Sequence, residues 1–176
     1  MKSNPQALRL FDPVQKSATV SECGAYRYDL NRVWEPERVG GCVLFVMLNP
    51  STADHEKDDP TLRRCLSFAR SWGFGSLSVV NLFSLRATDP RELFKHPDPV
   101  GPETDEAIDL HAEAAELVVA AWGVFGRFMG RDAAVRRILA PHRDKVVCLG
   151  TTAGGMPKHP LRLAGSTARR PYPLEG

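Results

Sequence analysis

The sequence lacks a long apolar run, and this absence argues against a membrane-spanning helix. No stretch of the 176 residues approaches the roughly 20 apolar residues that a span needs. The opening residues, Met1-Lys2-Ser3-Asn4-Pro5, lead into no apolar core of a secretion signal. We therefore expect a cytoplasmic protein with no membrane partner.

Cysteine is scarce, and its four positions are not paired at the spacing of metal ligands. Cys42 and Cys148 stand beside apolar runs, and Cys65 falls within a helical pattern. Together with Cys23 they are interpreted as buried, reduced thiols rather than catalytic or disulfide-bonded groups. We expect no metal site and no cofactor.

A strong excess of basic residues is also missing, since 23 Lys and Arg face 21 Asp and Glu for a net charge of +2. Dedicated nucleic-acid binders usually carry a denser basic patch, so this balance permits such binding without indicating it. Four basic residues gather late in the chain: Lys158, Arg162, Arg169 and Arg170. They are either a solvated tail or a phosphate-facing cluster.

The length suits one domain with a substantial core. Residues 1–22 lack a clear period and are predicted to form an N-terminal arm, with a single α/β domain over residues 23–176. Residues 26–34 predict an antiparallel edge strand. Four apolar runs then predict strands buried on both faces, over 43–48, 77–80, 117–121 and 145–149.

Helical patterns alternate with these runs. The first helix is capped by Asp58 or Asp59, has Pro60 in its first turn and ends at Gly73. Two more cover 103–116 and 131–139. The alternation predicts a three-layer α/β/α sandwich with a central four-stranded parallel sheet and an added N-terminal edge strand.

Polar and aromatic residues follow each predicted strand of the parallel sheet: Asn49, Asn81, Trp122-Gly123 and, after a glycine-rich loop, His159. The carboxyl ends of parallel strands share one edge, where ligands bind. Taken singly, each asparagine could serve a turn or a strand end, and His159 could be an ordinary surface histidine. Their coincidence at one edge predicts a common site centred on Asn49 and His159.

Several motifs carry a resemblance to known families. The run from Phe45 to Asp54, Asp58-Asp59-Pro60-Thr61, Asn81-Leu82-Phe83, Arg86 to Pro90, Ala121-Trp122-Gly123 and His159-Pro160-Leu161 resemble, in order, an uncharacterised bacterial family of unknown function. More distantly, Leu48-Asn49-Pro50-Ser51, Val80-Asn81-Leu82, Ala121-Trp122-Gly123 and His159-Pro160-Leu161 resemble the ordered motifs of the uracil-DNA glycosylase superfamily.

The second resemblance implies a parallel four-stranded sheet, DNA repair chemistry and roles for individual residues. Asn49 would hold the water that attacks the sugar carbon, and His159 would stabilise charge on the departing base. Asn81 would bind the edge of an extruded base. The other implied contacts with the base are Pro50, Ser51, Phe83, Trp122 and Gly123. Apart from the resemblance, Arg86, Lys158 and Arg162 are predicted to bind phosphate, and in a module that binds without chemistry Arg86, Arg162 and Arg169 would contact phosphates. The last motif departs from the superfamily, with Leu161-Arg162 where it has Ser-Pro.

The leading hypothesis is therefore an N-glycosylase acting on a base in nucleic acid. A module that binds a nucleotide or nucleic acid without chemistry is the alternative. A metal-dependent hydrolase would use the acidic run Asp54, His55, Glu56, Asp58 and Asp59, which could equally be a solvated loop with a helix cap. A serine nucleophile is less favoured, because no Gly-x-Ser-x-Gly turn surrounds Ser51.

Overall fold

A computed structural model describes residues 15–38 and 40–175 of the chain. The described residues form a seven-stranded mixed sheet with helices packed on both of its faces. In chain order the strands are β1 (Gln15–Val20), β2 (Arg27–Val33), β3 (Cys42–Met47), β4 (Ser76–Asn81), β5 (Leu117–Ala120), β6 (Val146–Cys148) and β7 (Arg170–Pro171).

The strand order across the sheet is β1-β2-β4-β3-β5-β6-β7. The four central strands, β4, β3, β5 and β6, run parallel, whereas β1, β2 and β7 are antiparallel to their neighbours. Residues Val43 to Val46 of β3 have no solvent exposure, because helices cover the sheet on both faces. The carboxyl ends of the parallel strands consequently meet at one edge.

Three α-helices are described: α1 (Pro60–Ser71), α2 (Thr104–Ala114) and α3 (Arg131–Leu139). Helix α1 covers one face of the sheet, where Leu66 and Phe68 join a cluster with Phe45, and α2 and α3 cover the other. Shorter 3-10 helices cover Pro90–Lys95, Val124–Gly130, Ala140–Lys145 and Pro160–Arg162. Within the described part of the chain, no helix has the length and apolar character to cross a membrane.

The start of α1 agrees with the sequence. Asp59 is the N-cap, and its side chain accepts a 2.7 Å hydrogen bond from the backbone N–H of Leu62. Pro60 occupies the first turn, where its missing N–H costs no hydrogen bond. The polar loop after β3 therefore ends at a defined point, beside the edge where the parallel strands finish.

The sheet is larger than the sequence predicted. Strand β1 lies inside the segment expected to be an arm, and residues 1–14 of that segment fall outside the described residues. Because β1 pairs with β2, the latter is an interior strand and not the predicted edge. The residues of β1 are largely exposed, so no apolar period marks it in the sequence. Strand β7 is only two residues long and leaves no pattern at all.

The four thiols are free, but they are not all buried. Cys65 and Cys148 are buried and Cys42 is partly buried, whereas Cys23 is exposed, contrary to the expectation for it. Burial raises the pKa of the Cys65 thiol, while a hydrogen bond with Ser21 lowers the pKa of Cys23. The chemically accessible thiol is therefore the one in the turn between β1 and β2.

Candidate active site

A cavity of about 700 Å³ opens at the carboxyl ends of the parallel strands. It is lined by residues that follow β3, β4, β5 and β6, the four stretches from which the sequence predicted a common site. The predicted site residues in its wall are Asn49, Ser51, Asn81, Trp122, Gly123, His159 and Arg162. Both asparagines and the late histidine thus face one space, although 110 positions separate the first from the last.

Four predicted contact residues lie outside the lining. Phe83 is fully buried and packs against Phe128 with ring centroids 5.7 Å apart. Pro50 is buried, and its carbonyl serves the loop by accepting from the backbone N–H of Ala87 at 2.9 Å. Arg86 and Lys158 are exposed and do not reach the cavity wall.

The side chain of Asn49 is held in one orientation. Its Nδ2 donates to the carbonyls of Pro50 at 3.0 Å and Ala87 at 2.8 Å. Two carbonyl acceptors require the NH₂ group and not the oxygen at this position, so the amide cannot be reversed. Oδ1 accepts no hydrogen bond from the described residues, which leaves a fixed acceptor for a ligand or a water molecule.

Asn81 occupies the last position of β4 and is only 1% exposed. Its Nδ2 has no hydrogen-bond partner among the described residues. A buried amide without a partner costs about 1–3 kcal/mol, and such groups are retained where a ligand completes them. In the cavity wall, this amide is suited to bind a polar edge of a bound molecule.

His159 stands at the mouth of the cavity, just before the 3-10 helix Pro160–Arg162. Its Nδ1 accepts a 3.3 Å hydrogen bond from the backbone N–H of Leu161, which places the proton of the neutral ring on Nε2. The ring keeps solvent access, yet the surrounding protein displaces enough water to lower the pKa of His159, against a smaller opposing effect of Asp59. The side chain is therefore neutral at pH 7 and offers an N–H donor.

Trp122 belongs to the wall and to the core at once. It is 1% exposed, and its ring meets that of Tyr172 edge to face with centroids 5.5 Å apart. Its neighbour Gly123 has φ +71°, a conformation that glycine adopts without strain. The Gly123 N–H donates to the carbonyl of Pro157 at 2.9 Å and so joins the loops that follow β5 and β6.

Among the lining residues outside the predicted base and phosphate contacts, Arg27, Asp59 and Phe125 carry charge or an aromatic ring into the wall. Arg27, at the start of β2, is 4% exposed and donates through Nη1 to the carbonyl of Ala53. Burial lowers its pKa to about 10, so it stays cationic at neutral pH. The rule for parallel strands could not find Arg27, because β2 is antiparallel. Asp59 was expected as a helix cap or as one carboxylate of the acidic run, and Phe125 lies on a 3-10 segment with no periodic signal.

The acidic run after Asn49 is engaged in structure. Asp54 Oδ1 accepts from two backbone N–H groups, at 2.8 and 2.7 Å, and these bonds lower the pKa of Asp54. Asp58 pairs with the fully buried Arg32 at 2.8 Å, and Asp59 caps α1. Within the described residues no group of three or more His, Cys, Asp or Glu side chains is placed to hold a metal ion. The loop-and-cap interpretation accounts for these carboxylates.

Of the late basic residues, only Arg162 lines the cavity. The guanidinium of Arg169 lies over the ring of Trp72, 4.9 Å from its centroid. Arg170 belongs to β7, where its backbone lies opposite Cys148 of β6. Of the two interpretations of these residues, a solvated tail or a phosphate-facing cluster, a cluster at the cavity is supported for Arg162 alone.

Residues 27–161 match a family that is described as "Protein of unknown function (DUF1643)". The chain belongs to this family. No curated protein matches the chain. The DUF1643 span begins at the buried Arg27 and ends just before Arg162, so it encloses almost the whole cavity wall.

Proposed function

We propose that the protein is an N-glycosylase-like hydrolase, which cleaves the bond between a nucleobase and its sugar in nucleic acid. The observation that carries the proposal is the convergence of Asn49, Asn81 and His159 on one cavity of nucleotide-accommodating size. The ordered motifs that resemble the uracil-DNA glycosylase superfamily support the same chemistry.

In the proposed reaction, Oδ1 of Asn49 accepts a hydrogen bond from a water molecule and aims its oxygen at the anomeric carbon of the sugar. The glycosidic C–N bond breaks and its electron pair leaves with the base nitrogen. Nε2–H of His159 donates to the negative charge that develops on the base, which is the interaction that lowers the barrier. Water supplies OH to the sugar and, through solvent, a proton to the base.

Asn81 holds the base in this scheme. Its buried amide meets the hydrogen-bonding edge of a base that has left its stack, and this edge distinguishes one base from another. Because the amide has no protein partner, a base that satisfies it is favoured over one that leaves it unpaired.

The test is base release from oligonucleotides that carry uracil, hypoxanthine and other altered bases. We expect wild type to release at least one of them, and His159→Ala to slow release by about 10² or more. His142→Ala is the matched control, because it removes a histidine on the 3-10 helix Ala140–Lys145 that does not line the cavity. Thermal unfolding of each variant confirms that it folds.

Two results would remove the proposal: no base released from any substrate, or a His159→Ala variant as active as wild type. Release that continues in the presence of a chelator would exclude the metal-dependent alternative. A binding module without chemistry is favoured by the two cations in the wall, Arg27 and Arg162. It would bind these oligonucleotides in a strongly salt-dependent manner and release nothing.

A further inference from the structure

A chain of aromatic rings leads from the core to the mouth of the cavity. Phe83 is fully buried and contacts Phe128, and the centroid of Phe128 lies 4.5 Å from that of Phe94. Phe94 in turn meets Phe125, with centroids 5.7 Å apart. The two outer rings, Phe94 and Phe125, are 41% and 43% exposed. The contacts with Phe128 hold the outer rings in place. A ligand that stacks on them therefore loses little affinity to the conformational entropy of ordering these side chains.

The outer rings belong to a larger apolar surface. Val124 and Leu161 are 55% and 42% exposed, and both line the cavity together with Phe125. We call Phe94, Val124, Phe125 and Leu161 the mouth patch. Single exposed apolar side chains are common on soluble proteins, but a cluster of them beside a cavity marks a binding surface.

Positive charge accompanies the mouth patch. Lys95 and Arg162 directly follow members of the patch in the chain, and Arg127 lies two residues after Phe125. The 3-10 helix of Phe94 also carries Arg91, and the carboxylates of that helix and its cap are Glu92 and Asp89. Arg91 is paired with Asp89 at 2.7 Å, and Arg127 donates to the carbonyl of Gly154. Lys95 and Arg162 have no ion-pair partner among the described residues. The surface is therefore aromatic with a surplus of cations, a composition suited to a flexible polyanion with planar groups.

We propose that the mouth patch binds single-stranded nucleic acid. A base next to the one in the cavity stacks on Phe125 or Phe94, and the connecting phosphates face Arg162 and its neighbours. The inference rests on the proposed function in taking the cavity as the site of a base. In a duplex, the faces of neighbouring bases are already covered by their own stack, so exposed rings gain nothing from them. In a single strand the faces are open, and stacking contributes about 1–3 kcal/mol per base.

The test is fluorescence anisotropy with a labelled DNA strand of about 12 unmodified nucleotides, free and annealed to its complement, a length that covers the site of a typical single-strand binding fold. We expect the free strand to bind at least about tenfold more tightly than the duplex, as stacking on one or two bases would give. Phe125→Leu should weaken single-strand binding by about tenfold and Phe125→Tyr should retain it, because only tyrosine keeps an aromatic face. Leu110→Ala, at an exposed leucine of α2 that is 58% exposed, is the matched control and should bind like wild type.

Equal or tighter binding of the duplex would overturn the inference, as would unchanged affinity in Phe125→Leu. Binding of unmodified DNA does not require cleavage of a base, so this measurement is independent of the base-release assay. Base release without a single-strand preference refutes the mouth patch alone. A single-strand preference that depends on Phe125, with no base release, refutes the proposed catalysis and leaves the binding surface standing.

Discussion

The side-chain amide of Asn49 donates a 2.8 Å hydrogen bond to the carbonyl of Ala87 and so fastens the loop after β3 to the loop after β4. The same amide holds the carbonyl of Pro50 at 3.0 Å. The side-chain nitrogen of Asn49 therefore holds the two loops together, and its oxygen is left to bind a ligand in the cavity. A change at Asn49 that keeps its shape but not its donor separates these two roles.

Asn49→Asp should lower the free energy of unfolding at pH 7 by about 2–4 kcal/mol, because a carboxylate cannot donate to either carbonyl and repels both. The environment would raise the pKa of the new carboxyl group, so stability should recover as the pH falls and the group is protonated. Urea unfolding at several pH values measures both effects. Ser51→Ala, also in the cavity wall, should change stability by no more than about 0.5 kcal/mol. An equal loss in the two variants would contradict the role assigned to the amide.

Arg32 of β2 holds the loop that follows β3 from the buried side. Its side chain is fully buried, pairs with Asp58 at 2.8 Å and donates to the carbonyl of Asp54 at 2.6 Å. Arg32→Met should cost about 2–4 kcal/mol, since it leaves the partly buried carboxylate of Asp58 and the carbonyl of Asp54 without their donor. The exposed pair of Arg38 and Glu35 offers the control, and Arg38→Met should cost less than about 1 kcal/mol. Denaturant unfolding that showed the same small loss for both arginines would refute the anchoring role.

The lowered pKa of His159 predicts in which direction the free energy of unfolding changes with pH. The ring is neutral in the folded protein and protonates more readily once unfolded, so its contribution is present above the unfolded value near 6.5 and is lost as the pH falls below it. His159→Gln should therefore lose less stability than wild type between pH 7 and 5. A two-dimensional ¹H–¹⁵N NMR titration should find the proton of the neutral ring on Nε2 and a pKa below the ordinary value. A pKa at or above that value would show that the surrounding protein does not desolvate the ring.

Gly126 is required by the close packing of Trp122. A Cβ at this position would lie 2.2 Å from Cδ1 of the indole, far inside van der Waals contact. Gly126→Ala should destabilise the protein by about 1–3 kcal/mol and change tryptophan fluorescence, because the ring or the 3-10 helix must move. At Gly165 the nearest atom to such a Cβ, a guanidinium nitrogen of Arg64, is 3.8 Å away, so Gly165→Ala should be nearly neutral. Equal effects of the two alanines would refute the packing argument.

The periodicity of the sequence was sufficient to predict the parallel strands and the edge at which they end. Asn49, Asn81 and His159 follow apolar runs that only a doubly covered sheet can bury, and their meeting at one cavity follows from the shared direction of those strands. The cap of α1 was equally accessible, because Asp59-Pro60 satisfies the free N–H groups of a helix start locally.

The rest depends on contacts between distant residues, which no local pattern reports. Phe83 belongs to the core and not to the ligand-facing wall, because the chain turns after Asn81 and directs this ring toward Phe128. Arg27 enters the wall from an antiparallel strand, and Phe125 from a short 3-10 segment that a kink at Phe128 and Met129 interrupts. In each case the side chain's direction is set by tertiary packing and not by its spacing from neighbours.

The family match ends at residue 161, whereas the fold continues beyond it. Tyr172 is 3% exposed, covers the edge of Trp122 and accepts a 2.7 Å hydrogen bond from Arg136 through its hydroxyl. A protein shortened to the matched span would open a wall of the cavity to water and lose strands from both borders of the sheet. The span that sequence comparison recognises is thus shorter than the sheet to which it contributes, and gene fragments cut at its ends would lack β1, β7 and Tyr172.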